Sequence, residues 1–426
     1  MGNVGRLYKF ELKKLLGRKM LWVALVILLG VAVFMPLTQV IGYTTISNDL
    51  TGGVPIKWSH YELAQMYRTD PAGLGGRPLD TELIQEAIDK TGIIIHDAII
   101  YAYDDDKEYA VTVVENRGTL SDDPMRDYVI RGEYNGVWGT VQQFVGSENM
   151  TEELTVEDYY AAVEEARQLD YAFHFLKPDE IAWWNEQAKG ISLPYTWLAS
   201  SDGWDYVPSA AGTINLLALL FAAIALSGVF PAERQLRTDA LAMCARKGKA
   251  PLYLAKLLAS VTVSFAGAML MLLGLIFPTL IVFGTDGFGD AIQVAGVGAG
   301  IYAAPMTLGK LALVCIGLCL LASLVYAAFT LVVSLLTRGG MATMAVVFGV
   351  MIVTGSFSLP YRWRVLSQAW DLLPSCMDSP RVLDPRLIHI FGGYLTSYQF
   401  APILWTLMLL ALAGLGYLLH RRVPAK

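Results

Sequence analysis

Six stretches of about 20 apolar residues, each free of charge in its core, limit this chain more than any other feature. Only an internally hydrogen-bonded helix of that length is tolerable across a ~30 Å hydrocarbon layer. The stretches run from about Met20 to Ile41, Ala210 to Phe230, Leu257 to Phe283, Leu311 to Leu336, Met341 to Leu359 and Phe400 to Leu419. The fifth is short, contains Gly349 and Gly355, and ends at Leu359-Pro360. With 54% apolar and 16% charged residues, the chain falls well below the ~25% charge of a soluble domain. A soluble single-domain enzyme is therefore excluded, and so is disorder. The expected fold is an α-helical polytopic membrane protein with six transmembrane helices.

Arg6, Lys9, Lys13, Lys14, Arg18 and Lys19 precede the first stretch. Its apolar core is longer than a secretory h-region and no small-x-small site follows, so it reads as an uncleaved anchor. The positive-inside rule then puts both termini in the cytoplasm, in a plasma-membrane protein. The 231–256 loop is likewise expected inside, with Arg234, Arg237, Arg246, Lys247, Lys249 and Lys256 against Glu233 and Asp239. Residues 42–208 hold 30 of the 38 acids but 11 of the 32 bases, and are expected outside. One loop dissents: residues 360–399, also expected outside, carry Arg362, Arg364, Arg381 and Arg386 against Asp371, Asp378 and Asp384. A re-entrant fifth stretch would bring that loop inside, but would put the basic tail outside, so six spans are kept. Bases dispersed around apolar runs also argue against nucleic acid as a partner.

These charges divide the chain into a connecting helix at 1–19, a first transmembrane helix at 20–41, an extracellular domain at 42–208, and a five-helix region at 209–426. Within the extracellular domain Thr81 to Lys90 predicts a helix. Thr155 and Asp158 form a capping-box pattern opening another through about Leu169, and Pro178 suits the first turn of a third. Gly92 to Tyr103 and Glu108 to Glu115 could pair as a hairpin, although runs this short leave strand against helix open. The domain is expected to be α+β.

Chemistry is sparse. The six cores contain no acid and no histidine, and their Gln39, Asn215, Ser and Thr suit helix packing, against an ion-coupled carrier or an intramembrane enzyme. The Walker pattern does not occur; Gly248-Lys249 is followed by Ala250 and lacks the upstream glycine. Gly296, Gly298 and Gly300 lack a dinucleotide context. His60, His96 and His174 are isolated, and Asp104 to Asp106 reads as a solvated turn. Of the cysteines, Cys315 and Cys319 lie one turn apart in a span, Cys244 is expected inside and Cys376 alone outside, so no intrachain disulfide is available there. No catalytic residue, cofactor or metal is expected. Glu233 to Ala245 is helix-compatible, with Leu236, Ala240, Met243 and Cys244 on one face, and would lie at the membrane surface with one side free for a protein partner. A loop that merely fixes topology explains the same residues equally well.

The order of basic amphipathic helix, first span, large outer domain, second span and this loop resembles the permease subunits of type-2 ATP-binding-cassette exporters. In motif terms it rests on Glu233, Thr238-Asp239-Ala240-Leu241, Arg246 to Lys249 and Ala255-Lys256, with Arg237 where that family commonly has glycine. The resemblance implies a coupling helix beginning at Glu233 that docks on a separate cytoplasmic ATPase. Glu233, Arg234, Arg237, Thr238, Asp239, Leu241, Arg246 and Lys249 would be its coupling residues, and residues 3–19 the connecting helix. The partners implied are two ATPase subunits, a second copy or a related permease, and membrane lipid, with all ATP hydrolysis on the partner polypeptide. An uncharged pathway suits an amphipathic or apolar cargo. The competing expectation is a membrane-anchored sensor binding a ligand through its extracellular domain, which would call for a cytoplasmic effector domain.

Overall fold

The computed structural model describes residues 2–38, 41, 43–46, 56–91, 99–104, 107–112, 123–151, 153–198, 202–235, 249–295, 300–390 and 392–422. Helix α1 (Gly2–Leu16) is amphipathic: Glu11 and Leu15 are buried one turn apart, whereas Arg6, Lys9, Phe10 and Lys13 are exposed. It stops at Gly17, and α2 (Lys19–Thr38) starts the first apolar helix. The corner is closed by the Trp22 indole, which donates to the Leu16 carbonyl at 2.7 Å, one of the acceptors a helix end leaves unpaired.

The acidic segment then folds around helices. Strands β1 (Tyr43–Ile46) and β2 (Ile56–Ser59) pair antiparallel, with Tyr43 opposite Ser59. Helices α3 (His60–Tyr67) and α4 (Thr81–Thr91) follow, then the antiparallel strands β3 (Ile99–Asp104) and β4 (Lys107–Thr112). That hairpin matches the sequence expectation, although residues 92–98, 105–106 and 113–115 of it lie outside the described residues. Helices α5 (Pro124–Val145), α6 (Val156–Phe173) and α7 (Pro178–Ala188) complete the segment. The Thr155–Asp158 capping box and the Pro178 first turn both form as their residues require. Leu79, Leu83, Val137, Val141, Tyr159 and Trp184 are buried within this segment.

Helix α5 has no counterpart in the sequence expectations. Asp123 caps it by accepting from the Met125 N–H at 2.9 Å, but Gly132, Gly136 and Gly139 interrupt its apolar pattern. Gly132 has a packing role: a Cβ there would sit 2.1 Å from the Tyr67 hydroxyl.

The remaining apolar helices are α8 (Asp202–Leu226), followed after a turn by the short α9 (Pro231–Gln235), then α10 (Lys249–Phe283), α11 (Leu308–Leu336), α12 (Gly340–Ser356) and α15 (Ser397–Arg422). Between α12 and α15 lie α13 (Arg364–Asp371), α14 (Ser379–Val382) and the hairpin β5 (Ile388–Ile390) with β6 (Gly393–Leu395), turning at Gly392 with φ +82°. Among the described residues five helices are long and apolar enough to cross a bilayer, which makes this a multi-pass membrane protein. The sixth, α12, has 17 residues and rises only about 25 Å. Helix α11 is buried along most of its length, whereas α15 exposes Ile403, Leu407, Leu410 and Leu418 as an apolar stripe that only lipid or another apolar surface satisfies. At the α8–α10 crossing Gly267 permits close approach, since a Cβ there would lie 2.1 Å from the Phe221 ring.

Two of these helices start earlier than their apolar cores. Helix α8 begins at Asp202 rather than Ala210, and α10 at Lys249 rather than Leu257. In each case the first turns carry polar residues engaged at one end of the bundle, so hydropathy alone misses them. The basic end gathers α1, α9, the start of α10 and the end of α15 through Arg18–Gly228, Lys249–Arg421 and Lys256–Glu11 hydrogen bonds. The opposite, acidic end holds the 43–198 segment. There Gln65 donates to Val282 O at 2.9 Å, Trp204 to Thr285 O at 2.8 Å, Arg167 to Ile301 O at 2.9 Å and Trp184 to Pro385 O at 2.7 Å. The arginines of the dissenting loop are largely occupied at this end. Arg386 is held by Asp384 and Asp371, Arg381 by Asp371 and Asp378, and Arg364 by Glu180.

Candidate coupling site at the basic end

The α8 chain turns at Ser227–Phe230, and Pro231, which lacks an N–H and has φ preset for a helix start, opens α9. This short helix points Glu233 into the seam between α1 and α10. Its carboxylate accepts from Lys14 Nζ, and from Lys256 Nζ at 2.5 Å. Lys256 also donates to Glu11 Oε2 at 2.9 Å. The Lys256 side chain is 1% exposed, Glu11 5% and Glu233 12%, so these three form a buried cluster, joined at its rim by Lys14, whose side chain is 32% exposed.

Such burial is tolerable only because every charge is matched, since removing ions from water costs several kcal/mol each unless partners restore the lost hydration. Lys256 further lies 5.4 Å from the Phe230 ring centroid, a cation–π contact. The neighbouring Arg234 donates to Leu335 O at 2.6 Å and Thr337 O at 2.9 Å. It thereby satisfies carbonyls that the C-terminus of α11 leaves unpaired and sets a cation at the negative end of that helix. Arg18 donates to Gly228 O at 3.0 Å, and the Tyr8 and Thr262 hydroxyls are 3.1 Å apart. Four segments distant in sequence are thus fastened together: α1, α9, the start of α10 and the end of α11.

His420 completes the layer. It is 2% exposed, its ring lies 5.4 Å from Phe230 and 5.8 Å from Tyr253, and neither of its ring nitrogens has a hydrogen-bond partner. Gly416, one turn before it, is packed against Tyr253 so closely that a Cβ would lie 2.1 Å from the hydroxyl.

Of the eight residues expected to couple to a partner, three are described. Glu233 and Arg234 are brought together on α9, but both side chains are turned inward, onto α1, α10 and α11. Lys249, expected in a basic turn, instead opens α10 and donates to Arg421 O at 3.4 Å. Arg237, Thr238, Asp239, Leu241 and Arg246 lie outside the described residues, as does the helix expected to run on to Ala245. Sequence reasoning missed Lys14 and Lys256 as partners of Glu233, and Glu11 as the second partner of Lys256. A signal existed: Glu11 is the single acid among residues 1–41, and sits on a helix otherwise rich in bases. Among the described residues no group of three or more metal-ligating side chains occurs, and His174 is paired with Asp170. No protein-family model matches the chain, and no curated protein matches it.

Proposed function

We propose that this chain is the permease subunit of an ATP-binding-cassette-type exporter. Two copies, or one with a related permease, would line the pathway, and separate cytoplasmic ATPase subunits would drive it. The observation that carries this reading is the buried Glu11–Lys256–Glu233 cluster, with Lys14 at its rim. In this reading a force applied to the 236–248 segment would pass to α9, and from there to α1 and α10 through Glu233 and to the end of α11 through Arg234. In this reading Glu233 and Arg234 act as internal clamps, and the contact with the ATPase falls to Arg237, Thr238, Asp239, Leu241 and Arg246. The exposed Arg6, Lys9 and Lys13 of α1 would lie against acidic lipid headgroups at the cytoplasmic surface. The lipid-facing stripe of α15 and the uncharged helix cores suit an amphipathic or apolar cargo.

The test is co-purification of the tagged chain with the ATPase encoded beside it, followed by reconstitution. Arg237→Glu with Asp239→Arg is expected to lower permease-stimulated ATP hydrolysis at least about tenfold, the cost of losing one or two charged contacts at a docking interface. Unfolding of the permease should be unchanged. Recovery of the chain without any ATPase, or unaltered hydrolysis in the variant, would reject the reading.

A further inference from the structure

At the acidic end a cavity of about 310 Å³ opens between the end of α6, the segment before α11 and the 361–385 loop. Its wall includes Asp170, Tyr171, His174, Trp184, Tyr302 and Tyr361, and it is remote from the cluster at the basic end. The aromatic rings are packed on one another. Trp184 and Tyr302 meet edge to face with centroids 5.3 Å apart, and His174 lies 4.6 Å from Tyr361.

The walls are fixed by buried polar bonds. Arg386, 0% exposed, is held by Asp384 and donates to Asp371 at 2.7 Å, while its guanidinium stacks 4.6 Å from the Tyr361 centroid. The Trp184 indole is anchored on Pro385 O. A pocket so held is preformed, as ligand sites usually are, and its volume is at the small end of their ~300–1,000 Å³ range.

Two polar groups in the wall are left for a ligand. Asp170 gives one carboxylate oxygen to His174 Nδ1 at 3.2 Å and keeps a quarter of its side chain exposed. Tyr171 is 3% exposed and its hydroxyl has no hydrogen-bond partner among the described residues, an unsatisfied buried donor of the kind that costs stability. In the lining Asp170, Asp371 and Asp384 outnumber Arg381, with His174 paired to Asp170 and Arg386 buried behind Asp371 and Asp384. An anion would be repelled there, and a purely apolar molecule would desolvate Asp170 without adding to the one partner His174 gives it. Aromatic faces beside a carboxylate are the surroundings that favour a cation.

We propose that this cavity binds a small organic cation with an apolar body, its ammonium held by Asp170 and the Tyr171 hydroxyl and its body among Trp184, Tyr302 and Tyr361. The site does not depend on the transport reading, because binding can be measured on the chain without an ATPase.

The experiment uses the full chain in phosphatidylcholine nanodiscs at pH 7, titrated calorimetrically with benzylamine, and with benzyl alcohol and benzenesulfonate as neutral and anionic comparators. Benzylamine should bind saturably and about tenfold tighter than benzyl alcohol, benzenesulfonate not at all, and Asp170→Asn should remove that advantage while Asp170→Glu retains most of it. Tyr171→Phe, a change that leaves every packed ring in place, should weaken benzylamine about three- to fivefold. This second variant decides the matter if Asp170→Asn does not fold. Absence of saturable binding below about 10 mM, a weak limit for a preformed site, overturns the proposal. So does equal affinity for benzyl alcohol, or full benzylamine affinity in a folded Asp170→Asn or Tyr171→Phe chain.

Discussion

Removing the central cation of the basic-end cluster is the sharpest test of the architecture. In Lys256→Met the apolar stem is kept and only the ammonium is lost. Lys256 stands 2.9 Å from Glu11 and 2.5 Å from Glu233, and the three side chains are nearly sealed from water. Glu233 keeps Lys14, but Glu11 loses the one hydrogen-bond partner it has among the described residues. Stranding a buried carboxylate in this way costs about 3–5 kcal/mol. Adding Glu11→Gln removes the stranded charge and should recover about half of that loss, so the double variant is more stable than Lys256→Met alone and the two changes are strongly non-additive. Unfolding in mixed micelles measures the totals. Limited trypsin digestion supplies a local readout, because α1, released from α10, should be cut at Lys13 and Lys14 before global unfolding. If Lys256→Met lies within about 0.5 kcal/mol of the parent, the range of ordinary surface changes, or if the two substitutions simply add, the cluster does not clamp these helices.

Glu133 gives a pH prediction. Burial, with the nearby Asp70 adding to it, raises its carboxyl to about 7 against the Ala72 N–H that bonds the charged form. Below about 4.5 both folded and unfolded states hold the proton. Between there and about 7 only the folded state does, so stability falls as pH rises by at most about 3 kcal/mol and is level above that. The Glu133→Gln chain, followed by unfolding at pH 4.5 and 8, should lose this fall; an identical pH slope in both chains would show that the carboxyl is not buried as described. Gly267→Leu should destabilise by about 1–3 kcal/mol or prevent folding, because of the Phe221 ring at the α8–α10 crossing. Gly317→Ala, in open space on α11, is the neutral control in the same thermal melt. Arg386→Leu strands Asp384, which is 7% exposed, and should cost about 3–5 kcal/mol, with part recovered by Asp384→Asn.

The positions of the apolar helices were legible because the bilayer leaves a chain almost no choice: a run such as Leu311 to Leu336 has one way to satisfy its backbone there. Local rules were equally readable where they close within a few residues, as in the Thr155–Asp158 capping box and the helix start at Pro178. Helix α5 was not, because three glycines interrupt its apolar pattern, and the one with a packing reason, Gly132, answers to the distant Tyr67. The site shows the same division more sharply. Glu233 stood out from the pattern around it, but what it does depends on Lys14, 219 residues away, and on a lysine whose other partner, Glu11, is 245 residues distant. No short-range rule pairs such residues. What the sequence does contain is a constraint on the sum: a lone acid on a basic surface helix, and a lysine at the edge of an apolar core, are each too costly to bury singly. Each therefore had to meet an opposite charge somewhere at the same end of the bundle. The 360–399 loop obeys the same constraint, since Arg364, Arg381 and Arg386 each meet a carboxylate among Glu180, Asp371, Asp378 and Asp384.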